Sequence, residues 1–223
     1  MFTGETEGAG AAPRSKERRG GQLPQREAKT NPRVARAAHG RLAEATIKVL
    51  EKVFGTDHLE LAGRLDELAD REYAQGRLAQ AESLWWLVLG IRQQVLGSEH
   101  REVALSLGTL GSLYESQGRI PEATSAYRQA VAIMEATLEP GHPNLAIALQ
   151  RLADMYMQAG NYGEAERLYD QTLKFWQEVL GPDHPTIASR LDRYAGLLLK
   201  MQQIERAAAL SEQAAEIRCK HMR

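Results

Sequence analysis

The chain lacks most of what an enzyme, a secreted domain or a membrane protein would need. Its 223 residues hold one cysteine, Cys219, so no intrachain disulfide can form and a reducing, cytoplasmic setting is expected. The longest uninterrupted apolar run is Leu84 to Leu89, far short of the roughly 18–20 residues that span a bilayer. No apolar stretch follows the basic residues near the start, which argues against a secretory signal. Glu5, Glu7, Glu17 and Glu27 interrupt any presequence of mitochondrial type. There is no glycine loop ahead of a Lys-Ser/Thr pair, no His-Glu-x-x-His, and no Ser or Cys nucleophile in a recognisable elbow. The expectation is a protein without catalytic residues, cofactor or metal. A formal net charge of only -1 also argues against a general polyanion binder.

That charge is unevenly placed. Residues 1–37 carry eight Lys or Arg against four Glu. Residues 1–33 are rich in Gly, Pro, Gln, Arg and Glu, with Phe2 the sole aromatic. Such a segment buries too little apolar surface to offset its ordering entropy, so a disordered basic tail is expected there. Without aromatics for stacking, any contact of this tail with nucleic acid would be salt-sensitive and sequence-blind.

What is abundant is self-similarity. His58, His100, His142 and His184 stand 42 residues apart, and so do Ala62, Ala104, Ala146 and Ala188. Leu65, Leu107, Leu149 and Leu191 keep the interval, as do Ala81, Ala123, Ala165 and Ala207. A fixed period of this size marks a repeat array whose units each touch only their neighbours. Each unit reads as two helices. In one, Leu107, Leu110, Gly111 and Tyr114 form an apolar stripe; in the next, Ala123, Ala126, Tyr127, Ala130, Ile133 and Leu138 do so. Gly76, Gly118 and Gly160 fall where a first helix ends and suit a left-handed backbone. Gln202 takes that place in the last unit. Small residues at Ala69, Gly111, Ala153 and Ala195 mark where the paired helices approach closely. In the linkers, Asp57 and Asp183 are expected N-caps and Pro185 a first-turn residue.

The repeat domain is accordingly placed at 34–221, with a lone helix at 34–56 and units at 57–98, 99–140, 141–182 and 183–221. That makes about nine helices and an all-α class. The lone helix would expose an apolar stripe, Leu42, Ala45, Val49 and Phe54, on which another copy could dock.

The pattern Leu107, Leu110-Gly111, Tyr114, Ala123 and Tyr127, repeated as Leu149, Leu152-Ala153, Tyr156, Ala165 and Tyr169, resembles a tetratricopeptide repeat (TPR). The 42-residue length, with Leu180-Gly181-Pro182-Asp183-His184-Pro185 in the linker, is similar to the kinesin-light-chain-like variety. The resemblance implies a right-handed α-solenoid whose concave groove, lined by first helices, holds a peptide or a partner protein. Paired Asn residues that often grip a ligand backbone in that family are absent. Asp66-Glu67, Gly108-Thr109, Gln150-Arg151 and Asp192-Arg193 stand there instead. The Lys/Asn set that clamps a C-terminal carboxylate is missing too.

The histidine ladder is not a metal site. Equivalent helices stack about 8–10 Å apart, whereas two ligands of one ion with bonds of about 2.0–2.1 Å must lie much closer. Loop and cap roles are expected. By register, the groove is lined by Asp66, Asp70 and Tyr73; then Thr109, Ser112 and Glu115; then Gln150, Asp154 and Met157; then Asp192 and Gly196. Arg151, Arg193 and Lys200 lie toward the C-terminal end. This surface runs from acidic to mixed or basic and is either an oriented receptor for an extended ligand or a solvated face. Trp86 sits where other units carry Glu44, Arg128, Asp170 and Glu212, so it is either an exposed interface anchor or covered by the tail or a loop. The function expected is a protein-interaction adaptor, with a self-associating scaffold or a small-peptide receptor as alternatives.

Overall fold

A computed structural model describes residues 58–139 and 141–221. They form eight helices and no strand: α1 His58–Ala74, α2 Leu78–Leu96, α3 Arg101–Ser116, α4 Ile120–Thr137, α5 Pro143–Gln158, α6 Tyr162–Leu180, α7 Pro185–Lys200 and α8 Ile204–His221. Each helix packs on its neighbours in the chain, more extensively within a unit than between units. The result is an α-solenoid of four helix pairs. The expected lone helix at 34–56 and the tail at 1–33 lie outside the described residues.

Small side chains set the closeness of each pair. Ala69 and Ala153 are fully buried, as are Ala81, Ala123 and Ala165. Gly111 is the extreme case: a Cβ there would lie 2.8–3.0 Å from the ring of Tyr127. The apolar stripes merge into one continuous core running from Ala69 to Ile217. A small satellite cluster of Ala62, Val88 and Ile91 fills the first pair.

The turn inside each unit closes in one way. Gly118 has φ 68° and its N–H reaches Glu115 O, while Arg119 N–H reaches Tyr114 O at 2.9 Å. These two bonds define a Schellman turn, which satisfies carbonyls the helix leaves orphaned. Gly76 and Gly160 repeat it at φ 75° and 81°. Gln202 repeats it too, at φ 60°, with Gln203 N–H bonded to Leu198 O. Glutamine therefore adopts the left-handed geometry of its glycine counterparts.

The linkers between units correct one expectation. Helices α3, α5 and α7 are capped by His100, His142 and His184, the cap role expected of the histidine ladder, so α7 is not capped by Asp183. Each imidazole Nδ1 accepts the N–H two residues on, from Glu102, Asn144 and Thr186, at 3.1–3.2 Å. The acceptor must be one residue ahead of the helix, and the histidine holds that place. Asp183 is drawn away: its carboxylate meets Lys220 Nζ at 2.8 Å, and its carbonyl O lies 2.8 Å from His221 Nε2. Asp57 lies outside the described residues. Pro185 does begin α7, as Pro143 begins α5, where a missing N–H costs nothing.

Two stability measurements follow. His142→Ala removes a cap acceptor and is expected to cost about 1 kcal/mol in chemical denaturation, with His142→Asn close to wild type. Gln202→Gly is expected to gain about 1 kcal/mol by relieving a left-handed L-residue. A fall in stability for that variant would show that the Gln202 side chain holds the turn.

Candidate functional site

The first helices α1, α3, α5 and α7 carry the residues expected to line a groove. Much of their charge is already engaged by the fold. In the first unit, Arg92 of α2 donates to Asp66 (2.9 Å) and to Ser106 Oγ of the next unit (2.6 Å). In the last, Arg218 of α8 donates to Asp192 (2.6 Å). These pairs occupy equivalent positions, 126 residues apart. In the third unit the corresponding acceptor is Gln150, buried at 7% exposure. Its guanidinium comes from Arg190, on the following first helix.

The second-helix aromatics reach the same face. Tyr127 Oη donates to Glu115 (2.9 Å) and therefore accepts from Ser112 Oγ (2.9 Å). Arg151 approaches Glu115 at 3.5 Å from the next unit. One repeat later Tyr169 donates to Asp154, which also takes a bond from Arg193 Nη1 at 2.5 Å. Asp154 is 4% exposed, so Tyr169 and Arg193 supply the partners that a buried carboxylate requires. Burial, then the Asp154 charge, push the Tyr169 phenol far above its usual range. The first unit breaks this series. Trp85 replaces tyrosine, is 4% exposed and leaves its Nε1–H without a partner.

Asp70, the counterpart of Ser112 and Asp154, is exposed and joins no ion pair among the described residues. Desolvation, and next the charge of Asp66, raise its carboxyl above the ordinary value. Tyr73 is 41% exposed with its ring 5.7 Å from Trp85. Met157 is half-buried against the core.

Trp86 is half-buried against the next unit. Its Nε1–H donates to Tyr114 Oη at 2.9 Å, and Tyr114 in turn donates to Glu82 at 3.1 Å. Arg119 closes the group, bonding Glu82 at 2.9 Å and lying 4.2 Å above the Tyr114 ring. Within the described residues the nearest covering group is thus the adjoining repeat.

Between α5 and α7 lies a cavity of about 210 Å³. Gln150, Arg151, Asp154, Thr186, Ser189, Arg190 and Arg193 supply its polar groups, and Ile147 also lines it. Four expected groove residues meet here: Gln150, Arg151, Asp154 and Arg193. Asp66, Asp70, Tyr73, Ser112 and Trp86 lie elsewhere. Arg190, Ser189 and Thr186 were not expected. Arg190 stands in the column of Arg64, Ser106 and Ala148, which shares no chemistry. The usable signal is its neighbour across the interface, since Trp176 replaces Arg92 just where Arg190 replaces Ser106. The cation has moved from the second helix to the next first helix.

Among the described residues no three His, Cys, Asp or Glu side chains gather as a metal-ligand set, and no helix is long and apolar enough to cross a membrane.

The tetratricopeptide repeat model matches residues 65–136, 117–174 and 144–220. The chain belongs to the tetratricopeptide repeat family. Among solved structures, its repeats are similar to the nearly identical TPR-like repeats assigned to a kinesin light chain of Podospora anserina. Identity is 27% and TM-score 0.68, over 84% of this chain and 89% of that one. They are also similar to BtubC (BKLC) from P. vanneervenii, at 24% identity and TM-score 0.64, over 83% of this chain and 72% of that one. MamA follows at 16% and 0.56, over 84% and 93%. The last two likenesses concern the fold alone. No curated protein matches the chain. Tetratricopeptide repeats mediate protein–protein interaction or scaffolding, and proteins built from them are typically adaptors, not enzymes.

The two tyrosine contacts should be separable. Tyr169→Phe strips a donor from a buried carboxylate and is expected to cost about 1.5–3 kcal/mol. Tyr127→Phe, whose acceptor Glu115 is nearer the surface and also met by Arg151, should cost less. Equal losses in chemical denaturation would remove Asp154 as the more demanding acceptor.

Proposed function

We propose that the first-helix face is a groove that receives an extended peptide or a helix of a partner protein, making the chain an adaptor in the cytoplasm. The observation that carries this reading is the charge left over once internal pairs are counted. At the α1 end Asp70 is exposed and joins no ion pair among the described residues, and Tyr73, three positions on in the same helix, is exposed too. At the α5–α7 end Arg193 pairs with Asp154 and Arg151 with Glu115, which leaves Arg190 as the cation without an ion pair among the described residues. A ligand with basic residues toward α1 and acidic ones toward α7 is complementary to that order, and such complementarity fixes register and direction. Asp66 contributes little directly, because Arg92 already neutralises it. Trp86 enters through its ring alone, since its indole N–H is engaged by Tyr114.

A second reading, self-association, has one observation in its favour. Leu199 and Ile204 flank the last turn at 56% and 68% exposure, whereas Leu78, Ile120 and Tyr162, the counterparts of Ile204, pack on the core. Sedimentation of wild type against Leu199→Asp/Ile204→Asp separates the readings, because an unchanged monomeric mass at high concentration removes the scaffold.

Affinity capture from native extract tests the groove. Asp154 is too buried to reverse without unfolding, so the informative variants are Asp70→Lys and Arg151→Glu, both at exposed positions. Partners held by wild type should be lost from the double variant and partly retained by each single one. Undiminished capture by the double variant would remove this face from the account.

A further inference from the structure

The fold leaves Arg190 chemically incomplete. Its guanidinium lies half-buried, 4.3 Å above the Trp176 ring. Nη1 donates to Gln150, while Nε is buried without a partner. Arg92 and Arg218, which meet the same first-helix position in other units, each have a carboxylate there. Arg190 has an uncharged amide, and among the described residues it joins no ion pair. Burial and then the charge of Arg193 hold its guanidinium below the usual value, with Asp154 opposing. Sheltering a cation without a counter-charge is costly. A planar fork with unused N–H groups is also the donor best matched to a two-pronged anion.

The cavity that Arg190 lines tells which anion. Arg193 is paired with Asp154, and Arg151 meets both carboxylate oxygens of Glu115 at 3.5 Å, so of the three guanidinium groups on the wall only that of Arg190 joins no ion pair among the described residues. The Arg151 pair is long and exposed, so a second negative charge on a ligand competes with Glu115 for it. A phosphomonoester carries about -2 at neutral pH and three strong acceptor oxygens. Ser189 and Thr186 add hydroxyl donors, and Thr186 lies in the first turn of α7, whose positive end favours an anion.

We infer that the cavity between α5 and α7 is a receptor for a phosphomonoester dianion borne on an extended ligand, a phosphoserine or phosphothreonine side chain. The inference rests on the groove reading for the extended ligand and adds the chemistry that one part of the groove selects.

Three degenerate peptide libraries, identical but for phosphoserine, glutamate or serine at the centre, are passed over the immobilised full chain. Phenyl phosphate binding is measured in parallel. Phosphoserine peptides should be retained about tenfold or more over glutamate peptides, as expected for added charge-assisted bonds. Arg190→Lys keeps the charge but loses the fork, and should erase most of that preference. Arg151→Gln, at an exposed position, should weaken it by a smaller factor with an unchanged helical circular dichroism spectrum. Equal retention of glutamate and phosphoserine peptides would overturn the phosphomonoester assignment and leave the peptide groove standing. Phenyl phosphate bound as tightly as any peptide would overturn the peptide source, and the groove reading with it. Preference undiminished in both arginine variants would place the receptor elsewhere and end this assignment.

Discussion

Everything in this molecule depends on how closely the two helices of a unit approach. Where Ala or Gly on a first helix meets Ala on its partner, the backbones come together without side-chain volume between them. Gly111 marks the limit, since one methyl there would strike the Tyr127 ring. The Schellman turn, two bonds and a left-handed residue, then fixes the exit direction of the chain. Repeating this contact and this turn every 42 residues leaves each unit with an apolar flank that only the next can cover. The single core running from Ala69 to Ile217 is the consequence. So is the face of first helices, because the same rotation brings equivalent positions into line.

That alignment has an electrostatic cost which the sequence meets by pairing. Equivalent first-helix positions in successive units come near one another, and like charges there would repel. Asp66 with Arg92, Asp192 with Arg218, and Asp154 with Tyr169 and Arg193 are three answers to one problem. A formal charge on this face is therefore poor evidence of a ligand contact. The informative groups are those the pairing omits: Asp70 at one end and Arg190 near the other.

The repeat, its helix pairs and their contact residues were legible because they obey a period. Ala81, Ala123 and Ala165 each announce the same burial, and three agreeing columns outweigh any one propensity. The linkers were less legible. Asp183 is a better N-cap by frequency than His184, but capping depends on where the helix begins, and a one-residue offset reverses the assignment. The candidate site was half legible. Gln150, Arg151, Asp154 and Arg193 could be placed together on one face, since facing follows from register, and they do line one cavity. What each side chain touches could not, because its partner sits in another column. Gln150 meets Arg190 across an interface, at a separation of 40 residues, not at the period. Trp86 is a further case: its column left exposure and cover both open, and the bond of its N–H to Tyr114 of the next repeat has no counterpart at the period.

Arg190 follows from this accounting. At the first interface Arg92 sits on the second helix and crosses over the small Ser106. At the last, Trp176 takes the second-helix place and Arg190 the first-helix one. The exchange keeps a guanidinium near the Gln150 position but turns its origin by one helix. From the second helix, the cation reaches its acceptor from behind the face. From the following first helix, it lies on the wall of the α5–α7 cavity. Trp176 gives the guanidinium a flat support, and Gln150 leaves its charge uncancelled, because an amide accepts a hydrogen bond without neutralising it. A structural arginine needs only a carboxylate, which its counterparts Asp66 and Asp192 already provide elsewhere in the repeat. Holding a cation oriented, supported and uncompensated on an accessible wall serves recognition of an anion better than it serves stability.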